Sequence, residues 1–135
     1  MIVEYIKEGH VDCPLIRIYG NDLRDFVEFR EVTRFLGEES GRSMNLTSRP
    51  GISAKNISDI HMTSSDRNCL TITGDAVEWS LNRSEWHLLS LLTQGLIDLP
   101  EHIAGHQWLA GPNASPPLDF GEISVVLSKS ELGIW

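Results

Sequence analysis

Two histidines, His102 and His106, stand four residues apart in the segment LPEHIAGHQWLAG. On a helix this spacing places both imidazoles on one face, where they can share a zinc ion. In the zinc-binding sequence HExxH, however, the glutamate follows the first histidine, whereas here Glu101 precedes His102. Pro100 and Gly105 also favour a loop over a helix. The pattern therefore does not predict a metal site, and we expect no cofactor.

Cysteine and histidine also occur close together, as His10 and Cys13. In an extended chain residues three apart face opposite sides, and neither Cys13 nor Cys69 lies on a glycine-flanked turn before a helix. No phosphate-binding glycine motif is present. We therefore predict no catalytic residue. Two cysteines are compatible with a single bridge, but we expect reduced, buried thiols.

Length and charge limit the kind of partner. The chain has 135 residues, 41% of them hydrophobic and 22% charged, which predicts one domain over residues 1–135. Residues 1–74 carry 11 acids against 9 bases (−2), and residues 75–135 carry 8 acids against 2 bases (−6). This charge disfavours nucleic acid and favours a basic protein partner, although a high net charge also serves solubility alone.

No segment has the length and composition of a membrane span or a secretion signal. The most apolar stretch, residues 86–99, is interrupted by polar side chains and is too short to cross a bilayer. Near the start of the chain, Glu4, Lys7 and Glu8 interrupt the apolar run that a secretory signal requires. We expect a cytoplasmic protein without membrane contact.

Two helices are predicted. In NDLRDFVEFREVTRFLGEES, Asn21 or Asp22 can cap the first helix and Gly37 is a typical C-terminal stop. In NRSEWHLLSLLTQGLIDL, Asn82 with Glu85 three residues later predicts the start of the second. Both helices carry an apolar stripe that must be covered.

The remaining segments predict strands and one long loop. CPLIRIYG reads as a buried strand, residues 2–6 as a weaker one, and EISVVLS as the last. Between the helices, four short runs predict an antiparallel meander: residues 43–47, 57–63, 68–73 and 76–81. A loop is expected from Pro100 to about Phe120. The fold class is therefore α+β, a mostly antiparallel sheet with two helices packed on one face.

The chain has four tryptophans, and each of them can either pack in the core or belong to a binding surface. The periodic neighbours of Trp79 and Trp86 favour a place in the core. In AGHQWLAG, Trp108 and Leu109 can anchor the long loop on the sheet, or the segment can be a contact surface. Two further hypotheses remain. The chain can be a small enzyme or a ligand- or metal-binding domain that uses the loop with His102 and His106, or an accessory or scaffold subunit that self-associates through a strand edge.

The segment GHQWL, which follows a leucine-rich helix and precedes EISVVLS and Glu131, resembles small bacterial immunity proteins of polymorphic toxin systems. The resemblance covers about the last third of the chain, and Trp108 stands where that family would have tyrosine. It implies a cytosolic, non-enzymatic protein that binds and blocks one toxin domain, and it carries over no catalytic residue.

Together these observations predict a stoichiometric binding protein whose partner is a basic protein domain. We expect the contact surface at the end of the second helix and in the loop beyond it. Its candidate residues are Asp98, Glu101, His102, His106, Gln107, Trp108 and Asp119.

Overall fold

The computed structural model describes residues 1–130, so Glu131 lies outside the described residues. The fold belongs to the predicted α+β class, with two helices and nine strands in this part of the chain. The helices are α1 (Leu23–Glu38) and α2 (Arg83–Ile97). The strands are β1 (Ile2–Ile6), β2 (Leu15–Gly20), β3 (Ser43–Asn45), β4 (Ser53–Lys55), β5 (Asp59–Ser64), β6 (Cys69–Thr73), β7 (Ala76–Leu81), β8 (Gly105–Ala110) and β9 (Ser124–Lys129).

The strands form two mixed sheets and not one antiparallel sheet. The first has the order β4-β1-β2-β9-β8 and the second the order β3-β5-β7-β6. Three neighbouring pairs are parallel, namely β1 with β4, β2 with β9 and β5 with β7. The predicted antiparallel meander is therefore wrong. The alternation of apolar and polar residues indicates which face of a strand is buried, but it does not indicate which strands are neighbours.

Both predicted helix starts are confirmed. The Asp22 side chain accepts a hydrogen bond from the Arg24 backbone N–H at 3.0 Å, and the Asn82 side chain accepts one from the Glu85 N–H at 3.1 Å. These caps satisfy backbone donors that a helix leaves unpaired in its first turn. No helix in residues 1–130 combines the length and the apolarity that crossing a bilayer requires.

Gly37 does not end α1 as predicted, since the helix continues to Glu38. The two helices pack against each other at this point. A Cβ atom on Gly37 would lie 3.1 Å from the backbone nitrogen of His87 in α2. Glycine is therefore needed here for close helix packing, and its position near a helix end gave a misleading stop signal.

The core between the helices and the sheets contains the two predicted tryptophans. Trp79 of β7 and Trp86 of α2 are fully buried, with ring centroids 5.2 Å apart. The indole N–H of Trp86 donates to the carbonyl oxygen of Thr63 at 2.9 Å and thereby ties α2 to β5. The prediction of core packing is confirmed for both side chains.

The predicted loop from Pro100 to Phe120 is interrupted by β8, which pairs antiparallel with β9. Leu109 and Ala110 of β8 are both buried, because the register shifts between Trp108 and Ala110. Such a bulge breaks the alternation of apolar and polar residues from which strands are predicted. The segment is therefore an edge strand and not a tethered loop.

The two cysteines are free, as expected, but Cys69 is exposed where a buried thiol was predicted. Cys69 begins β6 and pairs with Ser80 on the solvent-facing side of the second sheet. Cys13 is partly buried.

Candidate functional site

The segment after α2 forms a tight turn that presents two of the candidate residues. The Ile103 N–H donates to the carbonyl oxygen of Pro100 at 2.9 Å, so that Glu101 and His102 occupy the two central positions of this turn. Both side chains are exposed, and Ile103 beside them is 41% exposed. The turn is local, because Pro100 fixes its own backbone geometry and cannot continue the preceding helix.

Lys129 holds this turn against the first sheet. Its side chain is only 6% exposed, and its Nζ donates to the carbonyl oxygens of Leu99 at 3.1 Å and Pro100 at 3.0 Å. A buried ammonium group must be hydrogen-bonded to offset its lost hydration. The last residue of β9 therefore fixes the start of the turn that carries Glu101 and His102.

The second histidine lies in a different element. His106 belongs to β8 and is exposed, and its ring meets that of Trp108 edge-on, with centroids 6.3 Å apart. His102, by contrast, lines a shallow cavity of about 350 Å³ beside Lys129. His106 is absent from the described lining of that cavity. Residues 1–130 contain no group of three His, Cys, Asp or Glu side chains placed to hold a metal ion.

The edge strand β8 has one neighbour, β9, among the described strands. The Gln107 side-chain amide donates to the carbonyl oxygen of Trp108 at 3.3 Å, and Gln107 is half-buried. Trp108 is also half-buried and packs against the core, as an anchor would. A strand at a sheet edge offers backbone groups to a partner as well as side chains.

The candidate carboxylates differ from most acids in the first half of the chain. On α1, Glu28 pairs with Arg49, and Glu38 pairs with Arg42. No lysine or arginine among the described residues forms an ion pair with the three candidate acids. These are Asp98, which accepts from the Gln94 amide at 2.8 Å, Glu101 and Asp119.

The structure brings six of the seven candidate residues to one end and one edge of the first sheet, but Asp119 is separate. The Gly111 N–H donates to the carbonyl oxygen of Leu118 at 3.1 Å, which places Asp119 near the C-terminal end of β8. Glu101 and His102 precede the opposite end of that strand. A six-residue strand spans about 17 Å, so one small ligand cannot contact both ends.

Two features of the structure were missed by reasoning from the sequence. A groove runs between α1 and α2, with cavities of about 510 and 440 Å³ that share Gly37 and His87. Its arginines come from both helices, Arg30 and Arg34 from α1 and Arg83 from the start of α2, so only the observed helix packing shows that they line one groove.

The second missed feature is a buried ion pair on the first sheet. Glu4 of β1 lies directly opposite Arg17 of β2, and their side chains are 2.6 Å apart. Burial raises the pKa of the Glu4 carboxyl, but the hydrogen bond and charge of Arg17, with a contribution from Lys55, outweigh it and lower the pKa below its ordinary value. The Arg17 guanidinium also lies over the Tyr19 ring, 4.4 Å from its centroid. This network depends on strand register, which spacing along the chain does not show.

Comparison with known proteins identified no relative of this chain. No family model, no curated protein and no solved structure matches it.

Proposed function

We propose that this chain is a non-enzymatic, stoichiometric binding protein of the cytoplasm, whose most concrete form is an immunity protein that neutralises a basic toxin domain. The observation that carries the proposal is the set of carboxylates without an ion-pair partner beside the edge strand β8. Asp98 and Glu101 lie before the N-terminal end of that strand, and Asp119 lies near its C-terminal end.

The charge distribution supports a basic partner. Glu28 and Glu38 on α1 are paired with arginines of the same chain, so their contribution to the external field is reduced. The three carboxylates around β8 form no ion pair with a described lysine or arginine, and they can attract the lysine and arginine side chains of a partner over a Debye length. Such attraction accelerates association and selects against acidic competitors.

The rigidity of the turn supports tight binding. Lys129 bonds the carbonyl group of Pro100, the first residue of the turn, and that of Leu99 before it, so Glu101 and His102 are held in place before any partner arrives. Binding then requires little ordering of the chain, which preserves affinity. Exposed Ile103 and half-buried Trp108 add apolar area to the same region.

Affinity capture from the native cell tests this proposal. The protein is used as bait, and a double charge reversal, Asp98→Lys with Glu101→Lys, is compared with a control reversal at two exposed acids elsewhere, Glu8→Lys with Glu78→Lys. Both variants change the net charge by the same amount. We expect the wild type and the control to retain one basic protein at about equal stoichiometry and the site variant to lose it.

Two outcomes of this affinity capture would contradict the proposal. A partner that is retained equally by the site variant does not use this surface. Recovery of no partner at low salt, where charge attraction is strongest, contradicts a binding function of this kind.

A further inference from the structure

A path of two hydrogen bonds connects the first helix to one of the candidate acids. Nη1 of Arg30 in α1 donates to Oε1 of Gln94 in α2 at 2.6 Å. Nε2 of Gln94 in turn donates to Oδ1 of Asp98 at 2.8 Å. The other terminal nitrogen of Arg30 donates to Glu31 at 3.0 Å, which holds the guanidinium in place from its own helix. Arg30 and Gln94 both line the groove between the helices, so the Arg30–Gln94–Asp98 path joins that groove to the candidate surface.

The chemistry of the two ends fixes the orientation of the Gln94 amide. A guanidinium group only donates hydrogen bonds, so the amide oxygen must face Arg30. An ionised carboxylate only accepts them, so the amide nitrogen must face Asp98. Because Arg30 is a cation, it polarises the amide and strengthens the bond that the amide donates to Asp98. The arginine therefore acts on a carboxylate that it does not touch.

Asp98 lies where a carboxylate opposes the dipole of its own helix. It is the C-terminal cap of α2, and the last turn of that helix contains no basic residue. A helix C-terminus carries partial negative charge, which favours a cation there and disfavours an acid. Lys129 of β9 also reaches this end, but its Nζ is bonded to the carbonyl oxygens of Leu99 and Pro100. Departures from such local rules are expected at functional sites.

We propose that Arg30 is a positioning residue of the partner-binding surface, which acts through Gln94 to hold the Asp98 carboxylate for a lysine or arginine side chain of the partner. This inference rests on the proposed function and adds α1 to the elements that build its surface. Asp98 is exposed, and its carboxylate can accept further hydrogen bonds beside the one from Gln94. A carboxylate that is already oriented has less freedom to lose on binding, which preserves affinity.

The sign of the effect separates positioning from simple electrostatics. Removal of a cation near the surface makes that surface more negative, so by charge alone a basic partner should bind more tightly. Loss of positioning has the opposite effect. Arg34 provides the matched control, because it also lines the groove and contacts Glu31, at 3.5 Å. No hydrogen bond connects Arg34 with Gln94 within residues 1–130.

Nuclear magnetic resonance of the free chain tests the path without a partner. We expect Arg30→Met to change the chemical shifts of the Gln94 side-chain amide and of the Asp98 carboxyl carbon, since it removes the charged donor on which both depend. Arg34→Met should leave these shifts at their wild-type values. The same spectra show whether each variant is folded.

Titration calorimetry with the basic protein recovered by affinity capture tests the positioning role. Arg30→Met should lower the affinity about fivefold, although it makes the charge of the surface more favourable, and Arg34→Met should lower it by less than about twofold. In an Asp98→Asn background, Arg30→Met should cause no further loss, because residues that act through one another are not additive.

Three results would overturn the inference. Unchanged shifts of Gln94 and Asp98 in the Arg30→Met variant show that the path does not exist in solution. Equal affinities of the Arg30→Met and Arg34→Met variants show that only charge is involved. Additive losses in the Asp98→Asn background show that Arg30 does not act through Asp98. Failure to recover any partner contradicts the proposed function itself, and the shifts measured on the free chain distinguish that failure from a failure of the path.

Discussion

The Nζ atom of Lys129 donates a hydrogen bond to the carbonyl oxygen of Leu99 at 3.1 Å. This contact joins the end of the last described strand to Leu99, the second residue after α2. Because a second bond reaches Pro100, the lysine fixes the chain immediately before Glu101 and His102. The exposed turn is thus positioned by a buried residue that itself contributes almost nothing to the surface.

Replacement of Lys129 by methionine tests this role. The variant keeps a long apolar stem but leaves two carbonyl groups without their donor, which we expect to cost about 1–3 kcal/mol of unfolding free energy. Amide hydrogen exchange of residues 101–104 should become faster as the turn loosens. The exposed Lys7→Met is the control and should leave both quantities unchanged. Unchanged exchange in the Lys129 variant would show that the turn is held by other contacts.

The burial of the Glu4–Arg17 pair predicts that replacing Glu4 lowers the free energy of unfolding more than replacing Glu28, which lies in a more exposed pair. Glu4→Gln removes the charge of the carboxylate that lies 2.6 Å from the Arg17 guanidinium in a largely buried site, and we expect a loss of about 3 kcal/mol in the free energy of unfolding. Glu28→Gln removes the more exposed partner of Arg49 and should cost below about 1 kcal/mol. Denaturant unfolding of both variants measures the difference. Equal losses would contradict the importance of burial at Glu4.

The pH dependence of stability follows from the same residue. Because the pKa of Glu4 is lowered in the folded state, the ionised carboxylate contributes to folding stability. This contribution is present above the pKa of the unfolded state, about 4.3, and is lost as the pH falls through the lower pKa of the folded state. Between about pH 5 and pH 3 the wild type should lose more unfolding free energy than Glu4→Gln. Parallel curves for the two proteins would show that Glu4 titrates normally.

Alanine substitutions at Gly111 and Gly41 distinguish the cost of a steric clash from the cost of backbone strain alone. Both have positive φ, 92° and 91°, but a Cβ on Gly111 would lie 2.7 Å from the Ile123 oxygen and the Ser124 Cα, while Gly41 has no neighbouring atom within 4 Å. Alanine at Gly41 should cost about 1 kcal/mol through strain alone. At Gly111 we expect at least about 3 kcal/mol, because backbone of the adjoining segment must move. Thermal unfolding of both variants compares them.

Local features of this fold could be predicted from the sequence. The caps at Asp22 and Asn82 and the burial of Trp79 and Trp86 follow from residue type and spacing within one element. These predictions are correct because helix termini and apolar stripes depend mainly on residues that are close in the sequence.

Features that depend on distant segments could not be predicted. Glycine at position 37 gave the signal of a helix end but serves the packing of α1 on α2. The bulge in β8 concealed a strand within an expected loop. For the candidate surface, the residue types were identified from the sequence, but the support from Lys129 and the separation of Asp119 required the observed strand order.

The central claim is that the carboxylates beside β8 recognise a basic protein partner. Titration calorimetry with the captured partner tests it most directly, with the Asp98→Lys and Glu101→Lys double variant beside the Glu8→Lys and Glu78→Lys control. We predict a one-to-one complex, an affinity loss of at least about tenfold for the site variant, and a loss below about threefold for the control. Equal affinities for the two variants would contradict the claim.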